Sequence, residues 1–183
     1  MRKQSHLRLG EFLVERYMPD VKERHACAFL IGCIEPDKNP FTYLKGSFRH
    51  QWLRGHNYCN ARRYMRKICS RLEKKRSLGL LDYYSLGKLV HYTADAFTLA
   101  HNNWFPDDLH CHRTYESAHQ HYFLNFINSQ PCIDFKEFHS IMESITTYHR
   151  QYSSTANDIH RDCHYILTVC CGIFIILSTK NLI

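Results

Sequence analysis

Glycine and proline punctuate this chain so rarely, with 7 and 5 copies in 183 residues, that few tight turns can be built into it. An all-β design needs a turn every few residues, and those turns draw on the positive φ of glycine and the fixed φ of proline. Helix interiors need neither. Apolar residues recur at helical spacing and no stretch sustains the alternation of a strand. With 44% hydrophobic and 22% charged residues the chain can bury a core, which excludes a disordered polyelectrolyte. The expectation is an all-α, multi-helix bundle of about seven helices, one domain spanning residues 1–183.

The spacing predicts a first helix over residues 5–18, with Ser5 as N-cap and Leu9, Phe12, Leu13 and Tyr17 on one stripe. A second opens at Pro19-Asp20, runs through Ala26, Phe29 and Leu30, and stops near Gly32 and Pro36. Residues 36–55 read as a loop of a length that usually carries function. Further helices follow over about 57–75, 82–101 (capped by Asp82), 112–127, 134–152 and 157–177. The apolar run Tyr165 to Leu177 falls short of the roughly 20 residues a membrane span needs, so a buried terminal helix is expected and no transmembrane segment.

Net charge is +7 with histidine neutral, which favours anionic partners. Arg62, Arg63, Arg66, Lys67, Arg71, Lys74, Lys75 and Arg76 crowd one segment, and at helical spacing they read as a solvated face. The nine cysteines form no CxxC pair and fit reduced, buried thiols better than a disulfide framework. The basic N-terminus lacks the apolar stretch and cleavage site of a signal peptide, which argues for a cytoplasmic protein.

Histidine is the outlier, at 14 copies. Neutral imidazole is a preferred zinc ligand, so spacing becomes decisive. His91 and Asp95 are four apart and stack on one helix face, one nitrogen donor above a carboxylate able to bridge two ions. His112 and Glu116 repeat that spacing, and His101 lies where it can serve a neighbouring ion. Asp37, just after Pro36, is placed to close a site from a loop. His110, His119, His121, His139, His149, His160 and His164 read as ordinary histidines on polar helix faces, with His119 and His121 able to support the ligands.

These residues resemble the zinc-dependent phospholipases C, especially the small clostridial-type members, a superfamily shared with zinc nucleases. The likeness rests on Ser5-His6, the His25-to-Asp37 block, Asn39 to Gly46, Leu53 to Tyr58, His91 to Asn102 and His112 to Glu116. It implies an all-α fold and three zinc ions. One ion would be held by Asp37, His56, His91 and Asp95, with His50 the alternative to His56. A second would take His101, His112 and Glu116. A third would share Asp95 with His25, and His6 would stand in for the processed N-terminal residue of secreted members. The implied chemistry is hydrolysis of a phosphate ester by metal-bound hydroxide, with Asp37 as ligand and general base. By charge alone, Arg54 and Lys45 in the same loop are candidates to contact the phosphate, and Trp104 and Phe105, whose default role is packing beneath the site, have bordering the substrate as the alternative. That substrate would be a phospholipid head group, with a nucleic acid as the alternative. A zinc-stabilised binding module without turnover is the non-enzymatic alternative. A helical phosphohydrolase of the His-Asp type is disfavoured, because no His-Asp dipeptide occurs.

Overall fold

The computed structural model describes residues 1–39, 57–102, 105, 109–129, 133, 135–136, 138–155 and 158–183. Among them are seven α-helices and a short 3-10 turn, with no strand: α1 (Lys3–Tyr17), α2 (Glu23–Lys38), α3 (Tyr58–Leu72), α4 (Leu80–Ala96), the turn Leu99–His101, α5 (Leu109–Asn128), α6 (Ile141–Ser153) and α7 (Ile159–Thr179). Every expected helix is present, and several boundaries differ for physical reasons. Helix α2 does not stop near Gly32 and Pro36 but continues to Lys38 with Pro36 inside it. Pro36 has no N–H to offer the Gly32 carbonyl, yet packing against α4 holds the helix through that position. Asp82 is not the cap of α4. Gly79 is, and the Asp82 carboxylate accepts the Gly79 N–H at 3.1 Å from the third helical position. His101 lies outside α4, in the 3-10 turn, and α6 begins at Ile141 under a Ser140 cap that accepts the Glu143 N–H. Asn57 caps α3 by accepting the Cys59 N–H at 3.1 Å, whereas Ser5 is buried within α1 and caps nothing.

Helix α4 is the axis of the fold: residues 82–83 and 85–96 are all buried. A helix enclosed on every side needs neighbours that come close, and two glycines permit it. A Cβ at Gly32 would lie 2.1 Å from the Tyr84 carbonyl oxygen, and one at Gly87 would lie 2.1 Å from that of Phe29. The two backbones therefore touch at Gly32 and Gly87, and Lys88 reinforces the crossing with a 2.9 Å ion pair to Glu35.

Helix α7 is long and apolar enough to cross a membrane, yet 72% of its apolar window is buried inside the bundle. Cys163, Ile166, Leu167, Val169, Cys170, Ile173 and Phe174 join the core, and Phe174 meets Phe29 edge-on at 5.6 Å. The eight basic residues of 62–76 are exposed as expected, and Arg71 and Lys75 pair with Asp82 at 3.7 and 3.3 Å. All eight described cysteines are free thiols.

His149, read from sequence as a surface residue, is buried instead. Its ring stacks on Tyr58 at 3.6 Å, and Nε2 lies 3.1 Å from the Asn102 side-chain oxygen. Burial, with Arg62 nearby, pushes its pKa down to about 4. The folded state thus keeps His149 neutral while the unfolded chain protonates near 6.5. Its contribution is whole above pH 6.5 and is lost as pH falls towards 4. By urea denaturation, the stability lost between pH 7 and 4.5 is expected to be smaller for His149→Gln than for wild type, by roughly 2–3 kcal/mol. Equal losses in both proteins would show that His149 does not bind its proton differently on folding.

Candidate metal centre

The site is assembled at the far end of α4, where polar groups are carried into the core. His91 and Asp95 face the same way one turn apart, and neither side chain has any exposed surface. His91 Nδ1 donates to the Cys33 carbonyl at 2.8 Å, across the Gly32–Gly87 crossing. That bond fixes the tautomer and aims Nε2 at the carboxylates, the arrangement expected of a metal-binding histidine. His91 Nε2 is 3.2 Å from Asp95 Oδ2 and 3.7 Å from Asp37 Oδ1, so the last turn of α2 and the middle of α4 meet here.

Helix α1 supplies His6. Its ring stacks on His91 at 3.9 Å, and its Nε2 is 3.2 Å from Asp95 Oδ1. Neither ring nitrogen of this buried residue has a hydrogen bond of good geometry, which is costly unless something else takes the lone pair. On the other side of Asp95, His101 Nε2 lies 3.7 Å from Oδ1. Glu116 Oε1 is 3.2 Å from His101 Nε2 and 3.5 Å from His112 Nε2. Two donor sets result, His6–His91–Asp95 and His101–His112–Glu116, with the donor atoms of each within 4.8 Å of one another. Asp95 touches both sets.

The sequence reading passed over Met1. Its α-amine is buried among the same groups, 2.7 Å from Asp95 Oδ1, 2.8 Å from His101 Nε2 and 3.4 Å from Glu116 Oε1. Once deprotonated, an amine is a nitrogen donor of the kind zinc takes. No side-chain pattern signals it, because the group belongs to the backbone.

His25 requires correction. Its ring stacks on Tyr83 at 4.9 Å, near the opposite end of α4. Twelve residues separate Tyr83 from Asp95, and twelve separate His25 from Asp37, a rise of about 18 Å along either helix. His25 therefore cannot share an ion with Asp95. His56, His50, Lys45, Arg54 and Trp104 lie outside the described residues. Phe105 packs edge-on to His112, 6.1 Å between ring centroids. Of the histidines first read as surface residues, His119 is also buried, 3.9 Å from the Cys163 thiol.

The electrostatics suit a cation. Three carboxylates converge, and burial alone would push the pKa values of Asp95 and Glu116 up. For Asp95, His101, the Met1 amine, His91 and His6 outweigh that effect and hold the carboxyl well below its usual range. For Glu116, hydrogen bonds from His101 and His112 and the charge of the amine do the same. Burial keeps His6 neutral, assisted by His91, and burial likewise lowers His101. Burial would lower His91 too, but the charges of Asp95 and Asp37 reverse it and raise its pKa. Carboxylates held ionised at Asp95 and Glu116 beside imidazole nitrogens, with those of His6 unsatisfied, fit zinc by donor chemistry.

A search of curated proteins and a search of solved structures gave no match. The family model described as zinc dependent phospholipase C matches residues 5–159, well over half of the chain, and takes in His6, Asp37, His91, Asp95, His101, His112 and Glu116. The helical fold agrees with that match, and the chain belongs to the zinc-dependent phospholipase C family.

Proposed function

We propose that this protein hydrolyses a phosphodiester at a zinc cluster held by His6, His91, Asp95 and Asp37 on one side and by His101, His112 and Glu116 on the other. The observation that supports this reading is the position of Asp95. Its two oxygens face different partners, Oδ2 towards His91 and Oδ1 towards His6 and His101. A buried carboxylate with donors on both sides is what a bridge between ions requires. The family resemblance puts the number of ions at three, with His56 completing the first set. Zinc in such a cluster lowers the pKa of water and neutralises phosphate oxygens.

The chain's own residues do the rest. Asp37, about one-fifth exposed where the other central carboxylate is sealed, is the acceptor for a proton from the attacking water. As Asp37 Oδ1 takes that proton, the water oxygen bonds to phosphorus and the bond to the leaving oxygen breaks, its electron pair staying on that oxygen, which takes up a proton from solvent. His91, locked by the Cys33 carbonyl, keeps Nε2 aimed while charge shifts on Asp37 and Asp95. His6, packed face to face on His91, excludes water from the rear of the pocket.

Metal analysis of the purified chain, with hydrolysis of a choline phospholipid and of a dinucleotide measured before and after chelation, tests the reading. Zinc is expected in the purified protein. Diester hydrolysis should fall to background on chelation and return when zinc is restored. Activity that survives complete zinc removal overturns the mechanism. Zinc without turnover of any diester would indicate a binding module that has kept its ligands.

A further inference from the structure

Asp162, in the first turn of α7, is fully buried and, among the described residues, bonds to none of the proposed ligands. Its carboxylate accepts three hydrogen bonds. Oδ2 takes the backbone N–H of Leu99 at 2.7 Å and the hydroxyl of Tyr115, and Oδ1 takes the hydroxyl of Tyr152 at 2.8 Å. Two of these three donors lead straight to one donor set. Leu99 opens the 3-10 turn that ends on His101. Tyr115 stands on α5 between His112 and Glu116, one residue before the latter. Tyr152 leads elsewhere, to α6 and to the ring of Phe97 at 5.4 Å.

Helix α5 is anchored through Phe123 and Ile127 in the core and His119 against Cys163, all of them beyond the ligands in the chain. Asn102 fixes the start of the turn by donating to the Ala96 and Thr98 carbonyls, but it holds α4 and not α5. Glu116 bonds to His101 at 3.2 Å and lies 3.5 Å from His112, which ties the ligands to one another but does not tie them to the bundle behind. A shared carboxylate behind both segments does.

We propose that Asp162 is a positioning residue that sets the spacing of His101 against His112 and Glu116, and so the affinity of that donor set for its ion. The proposal rests on the zinc reading above. It adds a residue just beyond the span that the family model matches, 5–159. Residues that orient metal ligands in this way typically change metal affinity by about 10- to 100-fold when replaced.

The test is zinc stoichiometry and affinity, measured on the full chain by competition with a chromophoric chelator, with helix content and melting recorded for each variant. Asp162→Asn keeps the shape but turns an N–H towards donors, and it is expected to lose about one equivalent of zinc at chelator levels the wild type withstands, by a roughly 10- to 100-fold weakening. Tyr115→Phe should lose the same equivalent less severely. Tyr152→Phe removes a donor from the same carboxylate without reaching a ligand, and should keep full stoichiometry. A purely architectural role predicts the two tyrosine variants to behave alike, so equal zinc loss in both overturns the proposal. Unchanged affinity in a folded Asp162→Asn does so as well. If Asp162→Asn fails to fold, full stoichiometry in Tyr115→Phe overturns it. A wild-type protein that takes up no zinc overturns the metal reading itself, whereas wild-type uptake with unaltered variants removes only the role of Asp162.

Discussion

Asp95→Asn should cost the protein more than one zinc ion, and with them essentially all diesterase activity. The substitution keeps the side chain's volume and removes its charge, so packing around α4 is spared. What disappears is a charged side chain in contact with members of both donor sets: 3.2 Å from His91 on one oxygen, 3.2 Å from His6 and 3.7 Å from His101 on the other. A neutral amide cannot bridge two cations, and its N–H would face imidazole nitrogens that are needed as donors themselves. Metal ions stabilise transition-state charge by several kcal/mol, which corresponds to a loss of about a thousandfold or more. Zinc content and diester turnover on the same preparation check it. Wild-type stoichiometry in the variant sinks the bridging role, whatever the activity.

The other large effect is expected far from any ligand. Gly87→Ala adds one methyl group, in a helix interior where alanine is normally preferred by about 1 kcal/mol. Here the sign reverses. The new Cβ would sit 2.1 Å from the Phe29 carbonyl oxygen and 2.8 Å from the Cys33 amide nitrogen, both backbone atoms with no rotamer to change. Relief requires α2 and α4 to separate, which opens the core and moves the Cys33 carbonyl that orients His91. Overpacking of this kind costs about 3 kcal/mol or more, a large part of a total near 5–15 kcal/mol. Thermal or urea unfolding should show it, together with weaker zinc retention. Gly79→Ala serves as the control, since its Cβ would meet nothing closer than an Asp82 oxygen at 3.7 Å. Comparable stability of the Gly87 and Gly79 variants would mean that the helices do not touch as described.

The same crossing explains where sequence reading succeeded and where it failed. His91 with Asp95, and His112 with Glu116, were legible because helical periodicity converts a spacing of four into a shared face. His25 was carried over from the family resemblance, and the expected end of α2 near Gly32 and Pro36 gave no sign that it lies far from Asp37. The continuous helix instead carries His25 and Asp37 to opposite ends. Gly32 and Pro36 look like breakers locally, and only the partner helix shows that the glycine is there for contact. His149 read as a surface residue because its partners, Tyr58 and Asn102, come from other segments. Asp162 had no signal at all, since its donors are brought together only by the bundle.

The backbone contact at Gly32 and Gly87 also gives the two helices a common zero point. Asp37 lies five residues beyond Gly32, and His91 and Asp95 lie four and eight beyond Gly87. Each residue of helix advances about 1.5 Å and turns about 100°. A side chain replaced within those spans leaves the count intact. One residue inserted or deleted there would carry a ligand about a quarter-turn off the metal face, and no change of rotamer returns it. Along these two stretches, then, divergence among relatives is open to changes of residue type and closed to changes of length.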